Sequence, residues 1–174
     1  GSAAHYGIVA RGGSSVLNDI NLKSAGGAIG VVDGAALTFN SGSVDINTTS
    51  TSGRYLFYLE GAGSTLTIND GNFDFNRTQN QKRAYIYASV GTTAYINGGN
   101  FGKASTRSGY TDGILGEGTV IIKGGTFGFD PSTWVADGYK AVKSGDKWYV
   151  VANDVTLAKT SAEMVTAFTN GGNV

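Results

Sequence analysis

Leu37-Thr38-Phe39-Asn40-Ser41-Gly42-Ser43-Val44 decides the fold, because its pattern returns three more times along the chain. It recurs as Leu66-Thr67-Ile68-Asn69-Asp70-Gly71-Asn72-Phe73 and as Ala94-Tyr95-Ile96-Asn97-Gly98-Gly99-Asn100-Phe101. The last copy is Val120-Ile121-Ile122-Lys123-Gly124-Gly125-Thr126-Phe127, and a degenerate first copy lies at Val16 to Leu22. The aligned glycines Gly42, Gly71, Gly99 and Gly125 stand 29, 28 and 26 residues apart. A fixed period of this length marks a solenoid, in which each repeat buries its apolar face only against its neighbours.

Within one period the alternation is period two, with no helical spacing. Arg54-Tyr55-Leu56-Phe57-Tyr58-Leu59 reads as a first strand, Leu66-Thr67-Ile68 as a second and Phe73-Asp74-Phe75 as a third. Glycines before and after the second strand suit tight turns with positive φ. Three strands per turn without a helix predict an all-β fold: a right-handed single-stranded parallel β-helix of about five coils. The predicted inward columns are Phe39, Ile68, Ile96 and Ile122 on the second strand, and Val44, Phe73, Phe101 and Phe127 on the third. Asn40, Asn69 and Asn97 fall at one turn, where amides about 4.8 Å apart can bond as a ladder. That ladder reads as structural, and Lys123 interrupts it at the last coil.

Composition narrows the function classes. The 174 residues include 28 Gly, no Cys and one His, at zero net charge. A nucleic-acid or anionic-membrane partner therefore finds no general electrostatic support. Without Cys there is neither a disulfide framework nor a thiolate metal site. No apolar run approaches the roughly 18 residues of a membrane-spanning helix. Gly1-Ser2 reads as an expression scar, and the whole as a piece excised from something longer.

These coils resemble right-handed parallel β-helices of the pectin-lyase-like type. The closing stretch Gly124-Gly125-Thr126-Phe127-Gly128-Phe129-Asp130-Pro131-Ser132-Thr133-Trp134-Val135-Ala136-Asp137-Gly138-Tyr139 is similar to an ending found in repetitive bacterial cell-surface proteins and their phages. The resemblance covers residues 6 to about 130. It implies placement outside the cell, on a cell surface or on a virion, contact with polysaccharide, and trimeric assembly as in phage tail spikes and fibres.

Residues 3–129 are then the β-helix, 130–152 a cap and 153–174 the start of a next module. In the cap, Asp130-Pro131 suits a helix start with Asp as N-cap and Pro at the first position. Tyr139 to Val142 and Lys147 to Val151 read as a hairpin around Ser144-Gly145-Asp146. Trp134, Tyr139, Trp148 and Tyr149 are cap residues on this reading, because an open β-helix end needs covering. Met164, Val165 and Phe168 form a helical stripe after Ser161.

No catalytic constellation emerges. His5 stands next to the scar, which disfavours a Ser-His-Asp triad, and no metal-ligand spacing appears. Asp45 and Asp74 occupy equivalent outward positions on successive third strands, about 5 Å apart, which suits a retaining carboxylate pair. The following coils carry Gly102 and Gly128 there, so a solvated pair, or a weak Ca²⁺ contact, is the plainer reading. Neither a metal nor any other cofactor is implied.

Binding has more support. If Phe57, Leu59, Ile86 and Ala88 point inward, then Leu56, Tyr58, Tyr85 and Tyr87 point outward, and Ile29 and Val31 extend the same stripe. Such a stripe needs a subunit interface, a cover from the C-terminal segment, or sugar rings stacked upon it. Beside it run three long loops bearing Arg54, Arg77, Lys82, Arg83, Lys103 and Arg107, whose guanidinium forks suit carboxylates or hydroxyls of an acidic glycan. The expected role is a non-catalytic structural and adhesive module, with Arg54, Tyr58, Arg77, Arg83, Tyr85, Tyr87 and Arg107 as binding residues. Expected partners are a cell-surface glycan and two further copies of the chain, with no nucleic acid and no membrane. The alternatives are a fragment of a polysaccharide-degrading tailspike depolymerase, lyase or hydrolase, or an architectural spacer.

Overall fold

A computed structural model describes residues 6–46, 54–75, 83–102 and 113–155; the side chains of Arg54 and Arg83 are outside that description. Five coils of three strands each follow one another. They are β1 (Tyr6–Arg11), β2 (Ser14–Leu17) and β3 (Ile20–Ser24), then β4 (Gly27–Val32), β5 (Ala36–Phe39) and β6 (Gly42–Ile46). Next come β7 (Arg54–Leu59), β8 (Thr65–Ile68) and β9 (Asn72–Phe75), then β10 (Arg83–Ala88), β11 (Thr93–Ile96) and β12 (Asn100–Phe101). The last coil is β13 (Ile114–Gly116), β14 (Thr119–Ile122) and β15 (Gly125–Phe127). Every third strand pairs in parallel, giving sheets ordered β1-β4-β7-β10-β13, β2-β5-β8-β11-β14 and β3-β6-β9-β12-β15. This is a parallel β-helix.

The register puts like residues on like. Leu17, Phe39, Ile68, Ile96 and Ile122 form one inward column, and Leu22, Val44, Phe73, Phe101 and Phe127 another. Phe39, Phe57, Phe73, Phe101 and Phe127 are closed to solvent. Phe73 lies at the centre, with ring centroids 5.3 Å from Phe39, 5.4 Å from Phe57 and 4.7 Å from Phe101. Edge-to-face and offset contacts of this kind add to plain burial.

At the turn between the second and third sheets the asparagine ladder is present and longer than expected. Asn97 Nδ2 donates to Asn69 Oδ1 at 2.9 Å, Asn69 to Asn40 at 2.7 Å, and Asn40 to Asn18 at 2.8 Å. Beside it stands the glycine column. Gly42, Gly71, Gly99 and Gly125 have φ of 125°, 138°, 103° and 110°, which side chains rarely adopt.

After β15 a single 3-10 turn, Ser132–Trp134, lies over the last coil, and Val135 bridges to Ile122. The expected helix start takes the form of this short turn, with Asp130 not its N-cap and Pro131 not its first residue. Asp130 Oδ1 instead accepts from the Ser132 amide at 3.0 Å, an Asx turn, and Pro131 occupies the cap position before three 3-10 residues. Strands β16 (Tyr139–Ser144) and β17 (Lys147–Ala152) then form an antiparallel hairpin, and β17 pairs antiparallel with β15. The third sheet is thereby extended to seven strands and the exposed edge of β15 is covered. The helix read near Met164 lies outside the described residues.

Candidate functional site

The outward face of the first sheet departs from strict alternation. Ala28–Ile29, Leu56–Phe57 and Tyr85–Ile86 are pairs of consecutive residues that all join the core. The amides of Tyr85 and Ile86 both donate to the Gly113 carbonyl, at 2.7 and 3.4 Å, which is the two-against-one pattern of a β-bulge. Two residues in a row therefore turn inward, and the residues flanking them turn outward. The outward positions become Gly27, Tyr55 and Ala84 on one side, and Gly30, Tyr58 and Tyr87 on the other.

This overturns the expected outward positions of Tyr85, Leu56, Ile29 and Val31, all of which are fully buried. The Tyr85 ring packs on Phe75, Phe101 and Phe129, and its hydroxyl emerges beside Asp74 over Gly102. Burial, reinforced by the Asp74 charge, pushes the Tyr85 phenol far above its ordinary value. An unfolded tyrosine ionises near pH 10. The stabilisation from keeping Tyr85 protonated is therefore complete below about pH 10 and falls as pH rises further. Urea denaturation at about pH 8 and pH 11 is expected to show a shallower alkaline loss in Tyr85→Phe than in the parent. Equal losses would mean that Tyr85 contributes nothing to it.

Tyr58 and Tyr87 do face outward, joined by Tyr55 and Tyr6, which the sequence reading left out of the stripe. Tyr6 lies over Gly27 and Gly30, where any Cβ at Gly27 would occupy its ring. Ring centroids are 5.4 Å apart for Tyr6–Tyr58 and for Tyr58–Tyr87, and 4.8 Å for Tyr55–Tyr87. The four rings make one layer, and Tyr58 in its middle is only 4 % exposed. Burial, then the neighbouring Glu60, raises the Tyr58 phenol, and burial raises that of Tyr55. The layer is thus a neutral surface of rings and hydroxyls, continued along the row by Leu115.

Arg54 and Arg83 stand opposite each other in the β7–β10 register. Their side chains, together with Arg77 and Arg107, lie outside the described residues. Asp45 and Asp74 are register partners on β6 and β9, with Lys23 on the other side of Asp45. Asp74 Oδ1 accepts from the Phe75 amide at 2.7 Å. Among the described residues no group of three or more His, Cys, Asp or Glu could hold a metal ion, and no helix is long and apolar enough to cross a membrane.

A concavity lies elsewhere, and none of the expected site residues among those described lines it. The outward row Asn21, Ser43, Asn72, Asn100 and Thr126 runs along the third sheet and is continued by Tyr149 of β17. Beneath its last four members the glycine turns form a floor, and a groove of about 410 Å³ opens there with Asp70 at its rim. The repeat displays Ser43, Asn72, Asn100 and Thr126 at one aligned position, so the row was visible in the sequence. Its closure by Tyr149 depends on a strand that joins the sheet antiparallel, which no repeat announces. Compared with protein-family models, curated proteins and solved structures, the chain matches none.

Proposed function

We propose that the chain is a non-catalytic structural and adhesive β-helix module of the pectin-lyase-like type, acting outside the cell, on a cell surface or virion, and holding polysaccharide without cleaving it. The observation that carries this reading is the four-tyrosine layer on the outward face of the first sheet. Tyrosine presents an apolar ring for the C–H face of a sugar and a hydroxyl at its edge, at little cost in side-chain freedom. A fibre module gains from such a face on a rigid stack, since little needs to be ordered on binding.

Retention on polysaccharide matrices, with released reducing ends assayed in parallel, tests it. Retention without new reducing ends is the expected result, weakened about tenfold by Tyr55→Ala with Tyr87→Ala. New reducing ends would overturn the non-catalytic reading and return attention to Asp45 and Asp74.

A second reading of the same face is a homotrimer contact, favoured by the continuation of the rings into Leu115. It requires a trimer by light scattering that does not dissociate on dilution and that Tyr87→Ala breaks; a monomer at every concentration removes it.

A further inference from the structure

The groove on the third sheet offers a ligand more specific chemistry than the tyrosine layer does. Asn100 Nδ2 lies 3.5 Å from Asn72 Oδ1, a long contact that a ligand hydroxyl can replace. The Asn72 amide nitrogen remains a free donor, and the Asn100 carbonyl oxygen a free acceptor. Asp70 commits one oxygen to the Gly71 amide at 2.7 Å and leaves the other to the groove. The hydroxyls of Thr126 and Tyr149 add groups that both give and take hydrogen bonds. Donors and acceptors of this kind, close together, match the vicinal hydroxyls of a sugar.

Shape and charge restrict the ligand further. From Asn72 to Tyr149 the row takes three strand steps, about 14 Å at the usual spacing of 4.8 Å. A volume of about 410 Å³ falls within the range of small-ligand sites. The floor is bare backbone: the Cβ position of Gly99 faces inward, 2.9 Å from the buried Phe73 ring, so no side chain rises from it into the groove. A flat ligand can therefore approach the main chain closely. Among the described residues, the one carboxylate lining the groove is Asp70, and no Lys, Arg or His lines it. A uronic or sialic acid would meet that carboxylate with no described cation to neutralise it.

We infer that this groove is a binding site for a short stretch of neutral polysaccharide, held by Asn72, Asn100, Asp70 and Thr126 with one ring against Tyr149. The inference rests on the polysaccharide-holding reading above, but places a distinct site on a different sheet. It also takes the opposite class of glycan from the one expected for the arginine-bearing loops.

Affinity electrophoresis of the full chain is the test. Gels would contain a neutral β-glucan, a galactomannan or soluble starch, and in parallel polygalacturonate or alginate. Retardation by at least one neutral polymer is expected, with Asn72→Ala plus Asn100→Ala weakening it about tenfold. Both side chains are exposed, and an unchanged circular dichroism spectrum would show that the variant still folds. Thr126→Val gives a second, smaller lesion with the same expected direction. Retardation that survives these changes but is lost in Tyr55→Ala with Tyr87→Ala overturns the groove and leaves the adhesive reading standing. Retardation only in the acidic gels overturns the neutral-ligand assignment. No retardation in any gel overturns the adhesive reading, and the groove with it.

Discussion

Phe73→Ala is expected to destabilise the chain by about 4 kcal/mol, the usual range for a buried phenylalanine being 3–5. Three features place it at that level. The side chain is 1 % exposed, so the full transfer free energy of the ring is lost. It touches aromatic rings in its own coil and in both neighbours, Phe57, Phe39 and Phe101, and each loses a partner at once. The cavity cannot collapse readily, because its walls are strands fixed on both sides by parallel pairing. In a solenoid each repeat is held chiefly by adjacent repeats, so damage to the third coil weakens the coupling between the first two and the last two. Urea denaturation followed by circular dichroism would show a lower midpoint, and a broadened or split transition if the two parts uncouple. A change below about 1 kcal/mol would mean that the stack is held by its ladders and not by its aromatic column.

Gly42→Ala follows, with an expected cost of about 3 kcal/mol or more. The φ of 125° lies where an L side chain is strained. The added Cβ would also collide with the main-chain N, C and O of Ile20 in the coil below. Backbone in a paired strand cannot step aside without breaking the β3–β6 ladder. Gly145 is the natural control. It too has positive φ, 63°, in the hairpin turn, but nothing lies within 4 Å of its Cβ position. Gly145→Ala should therefore cost about 1–2 kcal/mol, the strain alone. Comparable losses in the two variants, measured by the same denaturation, would show that the close approach to Ile20 contributes nothing.

Much of the coil was legible because the repeat carries its own register. Once Gly42, Gly71, Gly99 and Gly125 are aligned, the residues of the strands on either side of them find their neighbours one coil away. The bounds of β7 and the columns through Phe73 and Ile68 follow from alternation alone. What alternation could not supply was the place where it fails. Leu56–Phe57 and Tyr85–Ile86 turn inward together, the second pair sharing the Gly113 carbonyl in a bulge. A bulge leaves no mark in the pattern of apolar and polar residues when both residues concerned are apolar or aromatic. Tyr85 thus changes from an expected sugar platform to a core residue, while Tyr55, which strict alternation with Phe57 and Leu59 would turn inward, takes the outer face. The groove was illegible for another reason. Tyr149 reaches Thr126 through an antiparallel pairing some twenty residues on, set by the hairpin turn and not by the period.

The ladder from Asn97 to Asn18 has a direction as well as a position. Every side-chain N–H points toward the lower coils and every carbonyl toward the higher ones. Aligned amides add their dipoles, as the peptide units of a helix do. The column therefore carries a partial positive charge at Asn18 and a partial negative charge at Asn97. Lys123 occupies the next place in the row, where its backbone amide bonds to the Ile96 carbonyl. The residue that interrupts the ladder is a cation, and it stands at the column's negative pole. At Asn18 another asparagine would simply lengthen the line, whereas at Lys123 the line ends on a positive charge beside the capped coil, where Val135 bridges to Ile122.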